Sequence, residues 1–195
     1  MAIKLSPKES ESRLFCASKF WGDPDMPAEM QYPMLQVEED GDKFEIPLTF
    51  ICQIDCADLK KFDKTGLVPE EGMFYFFGAV DELLGYESPV RTVIGEWPKG
   101  RVAVKYTKSI NYETFQSQIM VDDEENPISE PPMAIEFTEC EDDEPGVKMF
   151  FGDKILQLTS EFGFSFPQGM TLDFVMTESD MKFGNWKRAK GVLAE

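Results

Sequence analysis

Two stretches of this chain run in parallel. Residues 51–54 read ICQI and residues 155–158 read ILQL, while residues 72–77 read GMFYFF and residues 169–174 read GMTLDF. Each stretch has a glutamine third in an apolar tetrad, then a connection, then Gly-Met opening a second run that ends in phenylalanine. An acidic segment follows each, DELL at 81–84 and ESDM at 178–181. Short apolar runs bounded by glycine and acidic turns are strand-like chemistry. The order is kept while the Gln-to-Gly connection shrinks from 19 residues to 12, the pattern of a diverged duplication. The expected organisation is a single compact domain over 1–195, with related units at about 44–85 and 150–186.

The rest of the chain supplies further strands. Residues 34–37 and 44–54 flank Asp40-Gly41, a strong hairpin signal. The run 73–80 is aromatic and buried in character, and 101–106 alternates with Val102, Val104 and Tyr106 on one face. Residues 154–160 and 170–176 read as two more strands. The polar residues 5–13 read as a short helix or a loose leader, and 14–20 as the first strand. Three prolines and a glycine make 21–33 an ordered loop. Asp55 and Thr177 are placed to cap short helices. The fold class expected is α+β, mainly antiparallel sheet, in two related β-rich halves with short helices.

Composition narrows the chemistry. Apolar residues at 42% and aromatics at 13% supply a core, and a chain of this length buries roughly 70% of its unfolded surface. A formal net charge of −18 repels phosphate backbones, so no nucleic-acid partner is expected. The basic cluster 187-KRAK-190 reads as a solvated tail. The acidic surface suits a basic protein partner. Histidine is absent, which removes Ser-His-Asp and Cys-His nucleophiles and most zinc sites. Residues 1–13 hold no apolar signal-like core, and no apolar run approaches a membrane span. A cytoplasmic protein with no membrane partner is the expectation.

Cys52 and Cys56 invite a redox or metal reading. Their spacing is not the two-residue gap of redox motifs, zinc would need two more ligands, and buried free cysteine is common. They are expected to be structural, and no cofactor is expected. The acidic segments 122-DDEENP-127 and 139-ECEDDEPG-146 put Asp122, Asp123, Glu124, Asp142 and Asp143 forward as ligands for a divalent cation. The calcium-loop pattern with its central glycine is missing, and carboxylate runs on loops are usually solvated. Gln53 and Gln157 are expected either to clamp neighbouring backbone or to line a cleft between the halves. In the second case Trp21 and Tyr75 join them as ligand-binding residues.

Three segments carry a resemblance: 19-KFWGDPDMPAEMQYP-33, 50-FICQIDCADL-59 with 72-GMFYFF-77, and 153-DKILQLTSEF-162. They resemble the YwqG-like family, a bacterial domain of unknown function. Trp21, Met26 and Tyr32 stand where that family has glycine, leucine and tryptophan, and its Trp-Gly-Asp-x-Gly turn is reduced or absent. The resemblance implies a single α+β domain dominated by antiparallel sheet, and it carries over no catalytic residue. The expected function is a non-catalytic binding protein with an acidic surface. The alternatives are a carboxylate- or metal-dependent hydrolase, and a binder of small ligands in the cleft between the halves.

Overall fold

The middle of the structure is built from residues outside both repeated stretches. The computed structural model describes residues 1–195 apart from Asp123, Gln168 and the side chain of Phe162. Its strands begin with β1 (Ala2–Lys8), β2 (Lys19–Phe20), β3 (Asp25–Pro27), β4 (Met34–Glu39), β5 (Asp42–Pro47) and β6 (Thr49–Asp55). Helix α1 (Cys56–Lys60) leads to β7 (Met73–Gly78), β8 (Gly95–Glu96), β9 (Val102–Thr107) and β10 (Phe115–Ser117). Then come β11 (Met133–Cys140), β12 (Val147–Phe151), β13 (Lys154–Leu158), β14 (Thr171–Val175), α2 (Glu178–Lys182) and β15 (Lys190–Ala194). One large sheet runs β8-β15-β14-β13-β12-β1-β11-β2-β6-β7-β9, and all its pairings are antiparallel.

This corrects the expected α+β class. Strand accounts for 41% of the chain and helix for 9%, and the large sheet curls into a half-barrel. The caps at Asp55 and Thr177 are real, accepting from Ala57 N and Asp180 N. Each starts a helix of only five residues, too short to form a layer of its own. The region 5–13 is corrected as well. Its first residues belong to β1, which lies between β11 and β12 with Ile3 and Leu5 buried. Of the expected strand 14–20, only Lys19–Phe20 is in the sheet. The end of the chain is a paired strand, β15, with Lys190 on Glu96 and Arg188 on Asp180.

Outward from the central β1–β11 pair, one flank runs β2, β6, β7, β9 and the other β12, β13, β14, β15. Gln53 lies opposite Lys19 and Tyr75; Gln157 lies opposite Lys148 and Asp173. The register slips in both flanks at the echoed isoleucine, between Phe50 and Cys52 and between Lys154 and Leu156. Such a bulge turns two consecutive side chains to one face, here Ile51 with Cys52 and Ile155 with Leu156, all four in the same core. Trp21, just past the end of β2, and Phe150 of β12 both adopt positive φ, 57° and 53°.

That core fills the inside of the curl. Phe76 of β7 and Phe174 of β14 stand seven strands apart in the sheet, yet their rings meet edge to face at 5.5 Å. A second core lies only on the outer face of the first flank. There Met73, Tyr75 and Phe77 pack beneath Met26, Leu48 and Phe115. Alternate residues of β7 therefore enter different cores, and the strand is buried throughout.

Cys52 and Cys56 are fully buried in the inner core, and all four cysteines are free. Burial, reinforced by the Asp55 carboxylate, pushes the Cys56 thiol up to about 12, and burial raises Cys52 further. Because the thiolate is the reactive form, a disulfide reagent at pH 8 is expected to leave both unmodified in the native protein. Both should react when guanidinium unfolds it. Fast native labelling at either position, read by peptide mass spectrometry, contradicts the filling role.

Candidate functional site

The four residues singled out as ligand-binding do not converge. Gln53 is fully buried, with its side-chain oxygen accepting from Asp25 N at 2.8 Å and its nitrogen donating to Ala17 O and Asp25 Oδ2, both at 2.9 Å. The Tyr75 hydroxyl donates to Asp25 O at 2.8 Å. The Asp25 carboxylate also accepts from Cys16 N, Ser117 Oγ and Lys19 Nζ, the last at 2.7 Å. These bonds pin β3 and β10 onto the outer face of the first flank, a clamp in which each of these buried polar side chains has a partner. Gln157 bonds Asp173 Oδ1 at 2.8 Å, and Lys154 pairs with the other oxygen of Asp173 at 2.7 Å. Strands β2, β11, β1 and β12 separate the two glutamines.

The acidic loops do not assemble either. Asp122 accepts from the amides of Glu124 and Asn126 and closes its own turn, which holds its carboxyl below the usual range. Asp142 faces the Met1 amino group at 2.7 Å. Asp143 and Glu124 are solvent-exposed, and Asp123 lies outside the described residues. Among the described residues no three carboxylates or thiols are grouped as a metal would need.

Trp21 is different. Its backbone amide donates to Ile51 O at 3.0 Å and Gly22 N donates to Glu130 O at 2.9 Å. The left-handed backbone at Trp21 and Gly22, φ 57° and 69°, turns the chain sharply out of β2. A strap crosses this turn, with Met120 N and Ser129 Oγ both bonded to Asp23 Oδ1. Between the strap and the sheet lies a cleft of about 350 Å³. Its walls include Trp21, Tyr32, Leu84, Tyr86, Met120 and Ile128, with Asp81 and Glu130 among its few charged groups. A wider trough of about 880 Å³ adjoins it and shares Trp21, Leu84, Tyr86 and Glu130; Glu9, Glu11 and Pro132 line the rest. The groove lies where the turn Glu82–Leu84 of the first flank meets the connection after β13. There Ser165 N bonds Leu83 O, and the Phe164 ring packs tilted against Trp21 with centroids 5.5 Å apart.

Every charged residue lining either compartment is acidic, among the described residues. Neither Asp81 nor Glu130 has a lysine or arginine partner among them. Asp81 Oδ1 accepts from Thr49 Oγ1, and Glu130 Oε1 accepts from the Tyr86 hydroxyl at 2.6 Å. The field is felt by the tyrosines. Tyr86 is raised above its ordinary value by that bond to Glu130, then by burial and the charges of Glu130 and Asp81. Tyr32 is raised by burial first and then by the charges of Asp23 and Asp81. An apolar, aromatic groove with uncompensated carboxylates suits a ligand that is cationic at its tip and apolar along its stem.

The sequence reading names Trp21 and does not name Asp81, Tyr86 or Glu130, which line the same groove. The available signal was the strap itself. Residues 126-NPISEPPM-133 hold three prolines among apolar residues, the composition of an extended segment laid over a surface.

Set against known proteins, residues 18–154 match the family described as a domain of unknown function, DUF1963. No curated protein matches the chain.

Proposed function

This chain belongs to the DUF1963 family, a domain of unknown function, and we propose that it is a non-catalytic binding protein that docks a basic partner protein in the Trp21–Tyr86 groove. The observation that carries this reading is the lining: aromatic and aliphatic walls, carboxylates at Asp81, Glu130, Glu9 and Glu11, and no basic residue among those described. The net charge of −18 adds long-range attraction for such a partner. The narrower YwqG-like, bacterial affinity is part of the same proposal and rests on segments 19–33, 50–59 and 153–162. A cytoplasmic location is also proposed, supported by four unpaired buried thiols. The parallel registers, bulges and left-handed residues of the two flanks support descent from one duplicated unit.

Panning a random peptide library on the immobilised protein tests the docking reading. Peptides retained by the wild type are expected to be enriched in lysine and arginine. They should lose about tenfold or more in affinity when Glu130 is replaced by lysine, and weaken similarly between about 50 and 300 mM salt. Enrichment of neutral or acidic peptides, or indifference to Glu130→Lys, overturns it.

A further inference from the structure

The two compartments differ in what they can hold. The smaller one is bounded by aromatic rings at Trp21, Tyr32 and Tyr86, and its carboxylates come from separate segments, Asp81 just after β7 and Glu130 on the strap. Asp81 Oδ2 and Glu130 Oε2 have no partner among the described residues, while their other oxygens are held by Thr49 and Tyr86. The site therefore offers one unpartnered carboxylate oxygen from each of two segments, in a slot lined mainly by apolar and aromatic residues. An ammonium is compact and strongly hydrated, and it gains most from acceptors clustered around one point. A guanidinium is planar and weakly hydrated, stacks on aromatic faces, and directs five donors along its edges. The wider trough is open and carries Glu9 and Glu11 beside Pro131 and Pro132, suited to an extended backbone with further basic residues.

We infer that the compartment at Trp21 seats one arginine side chain of an extended segment of the partner protein, its guanidinium between Asp81 and Glu130 and its stem against Trp21 and Tyr86. This rests on the docking reading above and names its anchor. The Tyr86–Glu130 bond at the saddle between the compartments then marks where the arginine's neighbours cross from slot to trough. Glu130 accepts from Tyr86 through one oxygen and from the arginine through the other.

The test is an NMR titration of the full chain with N-acetyl-arginine amide, followed at the Trp21 indole and the Tyr86 ring. The lysine and citrulline amides, and spermidine, are run in parallel. The arginine amide is expected to shift both signals with a dissociation constant in the millimolar range. The lysine amide should bind several-fold more weakly, and citrulline, which keeps the shape and loses the charge, at least about tenfold more weakly. Asp81→Asn and Glu130→Gln should each weaken the arginine amide by about fivefold or more, while the dispersed spectrum of the folded protein is kept. Four results overturn the inference: no shift at Trp21 with the arginine amide up to about 20 mM, equal binding of arginine and citrulline, equal binding of arginine and lysine, or spermidine acting at lower concentration. If basic peptides still bind in a Glu130-dependent way in any of those cases, the docking reading survives and only the arginine anchor fails. If they do not, both fall.

Discussion

Replacing Asp25 with alanine is expected to cost about 3–5 kcal/mol of folding stability, the penalty for breaking a buried ion pair from one side. Asp25 and Lys19 are 1% and 6% exposed at the side chain and sit 2.7 Å apart. Alanine leaves the Lys19 ammonium without its counterion. It also strands Cys16 N, the Ser117 hydroxyl and one donation from Gln53, each of which now ends on the Asp25 carboxylate. Small domains hold only about 5–15 kcal/mol in total, so the variant is expected to melt far below the wild type or not to fold. The double variant Asp25→Leu with Lys19→Met separates charge from packing. Removing both ions should recover at least about 1 kcal/mol relative to Asp25→Ala. Urea denaturation gives both numbers. A loss of less than about 1 kcal/mol in Asp25→Ala would mean that the clamp does not hold β3 and β10 in place.

Gly72→Ala ranks next, and its echo supplies the control. Gly72 and Gly169 lie just ahead of β7 and β14 and both have positive φ, 111° and 83°. A Cβ at Gly72 would stand 2.9 Å from the Tyr106 ring and closer still to the Thr107 carbonyl oxygen; at Gly169 it would meet nothing within 4 Å. Backbone strain alone costs about 1–2 kcal/mol for a non-glycine residue in the left-handed region. Gly169→Ala should lose about that much. Gly72→Ala should lose about 3 kcal/mol or more, because β9 must shift away from β7 to admit the methyl. Equal losses in guanidinium denaturation would show that the crowding beside β9 relaxes freely.

How far the fold could be read in advance follows from how much of each element is written locally. The Asp40-Gly41 hairpin, β7, β9 and the two caps carry their own signals, and all formed. Strands β1 and β15 do not. AIKLSPK shows only two large apolar residues, and KGVLA follows a basic cluster that looks solvated; each is a strand because a neighbour on the sheet completes it. The extent of the helices is not legible, because a good cap says where a helix begins and nothing about its length. The echo was visible at Ile51–Phe77 and Ile155–Phe174. The positive φ shared by Trp21 and Phe150 had no such signal, since Lys19-Phe20-Trp21 and Lys148-Met149-Phe150 have only the lysine in common. The groove was the least legible part. Trp21, Asp81, Tyr86 and Glu130 come from three distant segments, brought together by a bulge, a left-handed turn and a proline-rich strap.

The position of β1 carries a consequence for anyone dividing this protein. The family match covers 18–154, and those limits slice through a continuous sheet. Trimmed there, β12 would lose both its neighbours, β1 and β13, and β11 would keep only the two-residue β2 at its side. The inner ring contacts to Phe174 and Trp186 would be gone as well. The matched stretch is not a unit of folding: cut at its borders, the polypeptide would expose half of a hollow whose other half it had just discarded.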